Sequence, residues 1–118
     1  MSTMLPFSSR ERLAIGSIAR YHRKALPDEQ HDHFSALSFR DRQVVKMLSA
    51  ILRVADGLDS THKQRVKDIA VKCTTRKINI VCQVDMPVVE EQEMAIRKGN
   101  LLELVFNRKL SISWQIGE

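Results

Sequence analysis

Near residue 65 of this 118-residue chain the apolar residues change their spacing. That change restricts the folds open to it. Before it, apolar side chains recur three and four residues apart, the period of a helix with one buried face. After it they alternate one by one, the period of a strand with one buried face. A helical half followed by a half built on strands is an α+β chain, and its 118 residues suffice for one domain, or one domain plus a subdomain, with a modest core.

The helical half divides into two helices. Ser8 and Glu11 stand at capping-box spacing and open a helix predicted to run to Lys24, with Ile15, Ile18, Ala19 and His22 on its apolar face. Pro27 closes that stretch. Residues 25–35 are polar and loop-like and hold His31 and His33. A second helix starts near Ser38, with Asp41 as cap partner. It is apolar at Val44, Val45, Met47, Leu48, Ile51, Leu52 and Ala55, wide enough for a central buried helix, and Gly57 is its expected stop. Residues 60–67 form a polar bridge.

In the second half, Ile69, Val71 and Cys73 alternate with Ala70, Lys72 and Thr74, and Ile78, Ile80, Cys82 and Val84 alternate with Asn79, Val81 and Gln83. A hairpin turning at Thr75 and Arg76 sets Cys73 opposite Ile78 and Cys82 opposite Ile69, too far apart for a disulfide. Both cysteines are expected as reduced core residues. Pro87 and the acids Glu90, Glu91 and Glu93 mark a helix start. That helix is expected to continue past Gly99 to Asn107, and Leu110, Ile112, Trp114 and Ile116 alternate in a last strand. The expected architecture is a helical half, 1–64, followed by a ββαβ subdomain with a three-stranded sheet, 65–118.

Net charge is +5, with ten Lys/Arg against seven Asp/Glu in residues 1–64 and nine against seven in 65–118. A basic excess spread along the chain suits either an anionic partner or an ordinary solvated surface. No apolar run reaches membrane-spanning length, and the start lacks a secretory pattern. No glycine-rich phosphate loop, nucleophile elbow or HExxH helix occurs. Aromatics make up 5%, so the stacking set of a nucleic-acid binder is missing, and no nucleic-acid partner is expected.

The residues with chemical potential cluster at two helix ends. His22, followed by Arg23 and Lys24, reads either as a packed core histidine or as a metal or phosphate contact. Asp56 follows the apolar run Ile51-Leu52-Arg53-Val54-Ala55, and Asp59 lies three residues on, so both fall on one side of a helix turn. Asp56 reads either as a carboxylate paired with a basic group such as Arg20 or Arg53, or as a partner of a metal or an imidazole.

Three segments together, Ala19 to Pro27, Leu37 with Asp41-Arg42, and Ile51 to Asp59 with His62, resemble the C-terminal region of exopolyphosphatases and guanosine pentaphosphate phosphohydrolases (the Ppx/GppA family). Asp85, Lys98, Leu102-Glu103 and Phe106 are similar to its closing subdomain, so the likeness runs from Phe7 to Ile116. The resemblance implies an HD-like helical half, with His22 and Asp56 placed like the two closing ligands of an HD metal site. A His-Asp pair that would open such a site is absent before His22. It also implies that phosphoanhydride hydrolysis, with its Mg2+, belongs to actin-like N-terminal domains, and that no cofactor is expected in this chain. The function so implied is that of a cytoplasmic, homodimeric polyphosphate-binding module. Arg20, His22, Arg23, Lys24 and Arg53 would contact phosphate or another phosphorylated anion, and Asp56 and Asp59 would orient them. The alternative is an HD-type metal-dependent phosphohydrolase completed by oligomerisation, with His22 and Asp56 among the metal ligands.

Overall fold

A computed structural model describes residues 8–22 and 26–117 of the chain. It divides into two compact units, residues 1–49 and 50–118. The fold is α+β, with a mixed three-stranded sheet.

In the first unit, α1 (Ser9–Tyr21) opens with the expected capping box. Ser8 Oγ accepts from the Glu11 amide at 3.1 Å, and Glu11 accepts from the Ser8 amide at 3.0 Å. Its buried face differs from the expected one. Ser17 and Tyr21 are buried with Leu13, Ala14 and Ile18 beside them, whereas Ile15 is 46% exposed and Ala19 is on the surface. The reason is the anchor: Tyr21 clusters with Phe34, Leu37 and Val45, and a large ring buries more apolar area than Ile15 could. Phe34 sits on α2 (Asp32–Ser35), a single helical turn in place of the expected loop.

The long helix α3 (Phe39–Leu58) begins with Ser38 Oγ accepting from the Asp41 amide at 3.1 Å. It is not the fully buried rod its composition suggests. Val45, Ser49, Ala50, Arg53, Val54, Gly57 and Leu58 are buried, while Val44, Met47, Leu48, Ile51 and Leu52 stay exposed. Gly57 does not stop the helix but lies in its last turn. A Cβ there would sit 2.9 Å from the Ala95 Cα, so glycine permits a close backbone approach.

In the second unit, β1 (Val66–Cys73) and β2 (Lys77–Val84) form an antiparallel hairpin with Cys73 opposite Ile78 and Ile69 opposite Cys82, as the turn position predicts. The thiols are free; Cys82 is buried but Cys73 is exposed, a correction to the expected pair of core cysteines. Burial raises the Cys82 thiol pKa. From β2 the chain crosses through α4 (Val89–Lys98) and α5 (Asn100–Phe106) to β3 (Lys109–Ile116), which pairs parallel to β2. The expected single helix is divided at Gly99, which caps the end of α4 and the start of α5 and where a Cβ would meet a Leu110 side-chain carbon at 2.4 Å. Asn107 ends α5 in the left-handed region, as the spacing predicts.

The core of this unit sets Ala50, Val54 and Leu58 of α3, Ala95 of α4, and Leu101 and Leu102 of α5 against Ile78, Ile80 and Cys82. The same sheet face continues onto β1, where Ile69 and Val71 are 47% and 51% exposed. Helices therefore cover β2 and leave that side of β1 open.

Candidate functional site

Two polar clusters hold most of the candidate residues, one in each unit. In the second unit, α3 runs into a turn at 59–64 that packs on α4. Asp56 bonds the Lys98 ammonium, at the C-terminal end of α4. Asp59 Oδ1 accepts from the Gln64 amide at 2.9 Å, and its carbonyl accepts from the His62 amide at 2.9 Å. These bonds hold His62 and Gln64 in the left-handed region, at φ 58° and 54°. Arg53 is 8% exposed, buried for a cation proposed to meet solvent-borne phosphate.

Beneath this turn lies an acid whose sequence context marks it only as a helix-start residue. Glu91 is fully buried. Thr61 Oγ1 donates to its Oε2 at 2.8 Å, and the Arg65 guanidinium stands 3.9 Å from its Oε1. A buried carboxylate needs such partners, and here they tie the 59–64 turn to α4. A signal for its burial is present in the chain: Val88, Glu91 and Ala95 fall at i, i+3 and i+7, the buried face of α4.

In the first unit, the C-terminal end of α1 meets α2 through an aromatic cluster. The Tyr21 hydroxyl and His31 Nδ1 are 2.6 Å apart. His31 and His33 stack at 5.9 Å between centroids, 7° from parallel, and both stack on Tyr21. They are half-buried packing residues at the α2 turn, where the sequence suggests a polar loop. The Arg20 guanidinium lies 3.4 Å from His33 Nδ1 and 5.8 Å from the Tyr21 ring centroid. A guanidinium only donates, so His33 Nδ1 accepts and a neutral ring carries its proton on Nε2. Burial, then the charge of Arg20 and the neighbouring His31, lower the His33 pKa. Burial raises the pKa of the Tyr21 hydroxyl.

Arg20 is exposed and has no carboxylate partner among the described residues. The Arg10 and Arg42 guanidiniums meet Asp41 at 3.1 Å and Glu29 at 3.9 Å. His22 caps the end of α1 and is half-buried. Arg23 and Lys24 lie outside the described residues. Among the described residues, no three His, Cys, Asp or Glu side chains group as a metal set, and no helix is long and apolar enough to cross a membrane. No family model and no curated protein matches the chain.

Proposed function

We propose that this chain is a phosphate-chain-binding and assembly module of the exopolyphosphatase and pentaphosphate phosphohydrolase kind, with hydrolysis left to actin-like catalytic domains that use Mg2+. The observation that carries this reading is Arg20. It is an exposed cation at the end of α1, answered only by imidazole and aromatic faces among the described residues, in a chain of net charge +5. A guanidinium in that state has donors to offer a phosphate oxygen. Arg23 and Lys24 follow it in sequence and extend the basic stretch.

Asp56 fits this reading as a structural carboxylate, since its bond to Lys98 braces α3 on α4. Exposed apolar side chains on α3 favour assembly with a second copy or with the parent domains. The compartment in this reading is the cytoplasm.

The test is titration with inorganic polyphosphate at low ionic strength, repeated over a salt series. Saturable binding that weakens as salt rises, and several-fold weaker binding by Arg20→Ala, are expected. An unaltered chain that binds no polyphosphate at low salt overturns the reading. Stoichiometric divalent metal lost on His22→Ala and Asp56→Ala would favour the HD-type hydrolase instead.

A further inference from the structure

β1 is an outer strand of the sheet, and residues 67–73 are exposed. Its free edge carries backbone groups that β2 does not use, which is a template for another strand. The Thr74 amide donates to the Lys77 carbonyl at 2.8 Å. Bonding alternates along an antiparallel pair, so Lys72, Ala70 and Asp68 bond to β2, while Ile69, Val71 and Cys73 turn their N–H and C=O groups outward. The outward Ile69 amide is met by Asp68 Oδ1 at 2.9 Å instead of by a strand. The side chains of β1 are also self-complementary about Ala70. Counting outward from it, Ile69 answers Val71 on the apolar face and Asp68 answers Lys72 on the other face. Neither Asp68 nor Lys72 has an ion-pair partner among the described residues.

We propose that β1 pairs antiparallel with β1 of a second copy across a two-fold axis at Ala70, joining two three-stranded sheets into one. Ile69 and Val71 then exchange backbone hydrogen bonds with Val71 and Ile69 of the partner, and Asp68 is released to face the partner's Lys72. Every contact is made twice, as a two-fold interface requires. Opposite charges directly across a pair of strands stabilise it and like charges oppose it. A slip of two residues, the smallest that keeps the outward groups facing one another, sets Asp68 or Lys72 against Ala70 and loses both ion pairs. The bare apolar row of Ile69 and Val71 becomes continuous across the two copies. This interface shares no residue with the proposed phosphate-contacting set, so either can fail without the other.

The experiment is sedimentation equilibrium of the full chain at micromolar concentrations, joined to a cross-linking test of the register. A monomer–dimer equilibrium is expected. Asp68→Lys, which sets Lys against Lys72 twice, is expected to raise the dimer dissociation constant at least tenfold, and Asp68→Lys with Lys72→Asp to return it to within about threefold. In this register the two copies of residue 70 form a non-hydrogen-bonded pair, with Cα atoms about 4.5 Å apart, close enough for a disulfide. Ala70→Cys with Cys73→Ser is therefore expected to give a disulfide-linked dimer on mild oxidation. The free, exposed Cys73 of the unaltered chain is expected to give none, because it stands opposite Lys67 of the partner, about 20 Å from its own copy. A chain that stays monomeric leaves the edge to some other strand and overturns the proposal. A dimer indifferent to Asp68→Lys, or one linked through Cys73, has another interface or register and also overturns it. Should Asp68→Lys fail to fold, the Ala70→Cys link decides.

Discussion

Gly57 of α3 and Ala95 of α4 meet backbone to backbone: a Cβ at residue 57 would lie 2.9 Å from the Ala95 Cα and 3.0 Å from the Met94 carbonyl oxygen. Neither neighbour is a flexible side-chain tip, so added volume must push two helices apart. Gly57→Ala is expected to lose roughly 1–3 kcal/mol of stability, against the small gain helix propensity alone would give. Gly16 in α1 is the control, since a Cβ added there would meet nothing within 4 Å. Gly16→Ala is expected to be neutral or to stabilise by up to about 1 kcal/mol. Urea denaturation of both variants checks the pair; equal effects would refute the close approach.

Thr61 and Glu91 form a buried polar bond across the turn. Thr61→Val keeps the volume and deletes the donor, leaving Glu91 Oε2 without it. A loss of about 1–3 kcal/mol is expected. In a double-mutant cycle with Glu91→Gln, coupling between the two positions is the measured quantity, and additivity within error would argue against the bond.

Lys98 and Asp56 are both partly open to solvent, at 20% and 29% side-chain exposure. Solvent screens such a pair, so Lys98→Met is expected to cost no more than about 1 kcal/mol. Added salt should shrink that difference further. Thermal melts of the two proteins at low and high ionic strength measure it.

His33 carries a pH dependence whose sign follows from its lowered pKa. At pH above the ordinary imidazole value of 6.5, the ring is neutral in both folded and unfolded chains and costs nothing. As pH falls through 6.5, the unfolded chain takes up the proton first, because burial and Arg20 oppose it in the folded one. Stability is therefore lost from about 6.5 downward until the folded pKa is passed. His33→Gln should flatten that loss in denaturation curves recorded between pH 7.5 and 5. The same slope in both proteins would rule His33 out as its source.

Where one local rule governs, the sequence is legible. Ser8 and Glu11 form their box, Asn107 ends α5, and the Thr75-Arg76 turn sets the register of β1 on β2, since period-two side chains and a short turn leave one pairing. Legibility ends where a distant neighbour decides. Ile15 loses its place in the core to Tyr21 because Phe34, from another helix, packs on the ring. Gly57 reads as a stop until Ala95 is seen against it, and Cys73 reads as core until the open side of β1 is seen. Of the site residues, Asp56 is legible as a paired acid, but its bond to Lys98 is not, because Lys98 lies in another helix. The His31 and His33 cluster is hidden because stacking on Tyr21 needs α2, a turn too short to show a period.

The parallel pairing of β3 on β2 sets an order of assembly. β1 and β2 are joined by a turn of residues 74–76, so their pairing closes a short loop. β3 reaches β2 only after residues 85–108 have been drawn across the sheet, with Lys109 brought beside Lys77. Loop closure over that span precedes any hydrogen bond that rewards it, so the hairpin is expected to form first and the third strand last. Until residues 109–116 arrive, β2 carries an open edge with Ile78, Ile80 and Cys82 on its inner face. A chain cut short before Lys109 would keep that edge permanently, and strand-to-strand aggregation is the fate such an edge invites.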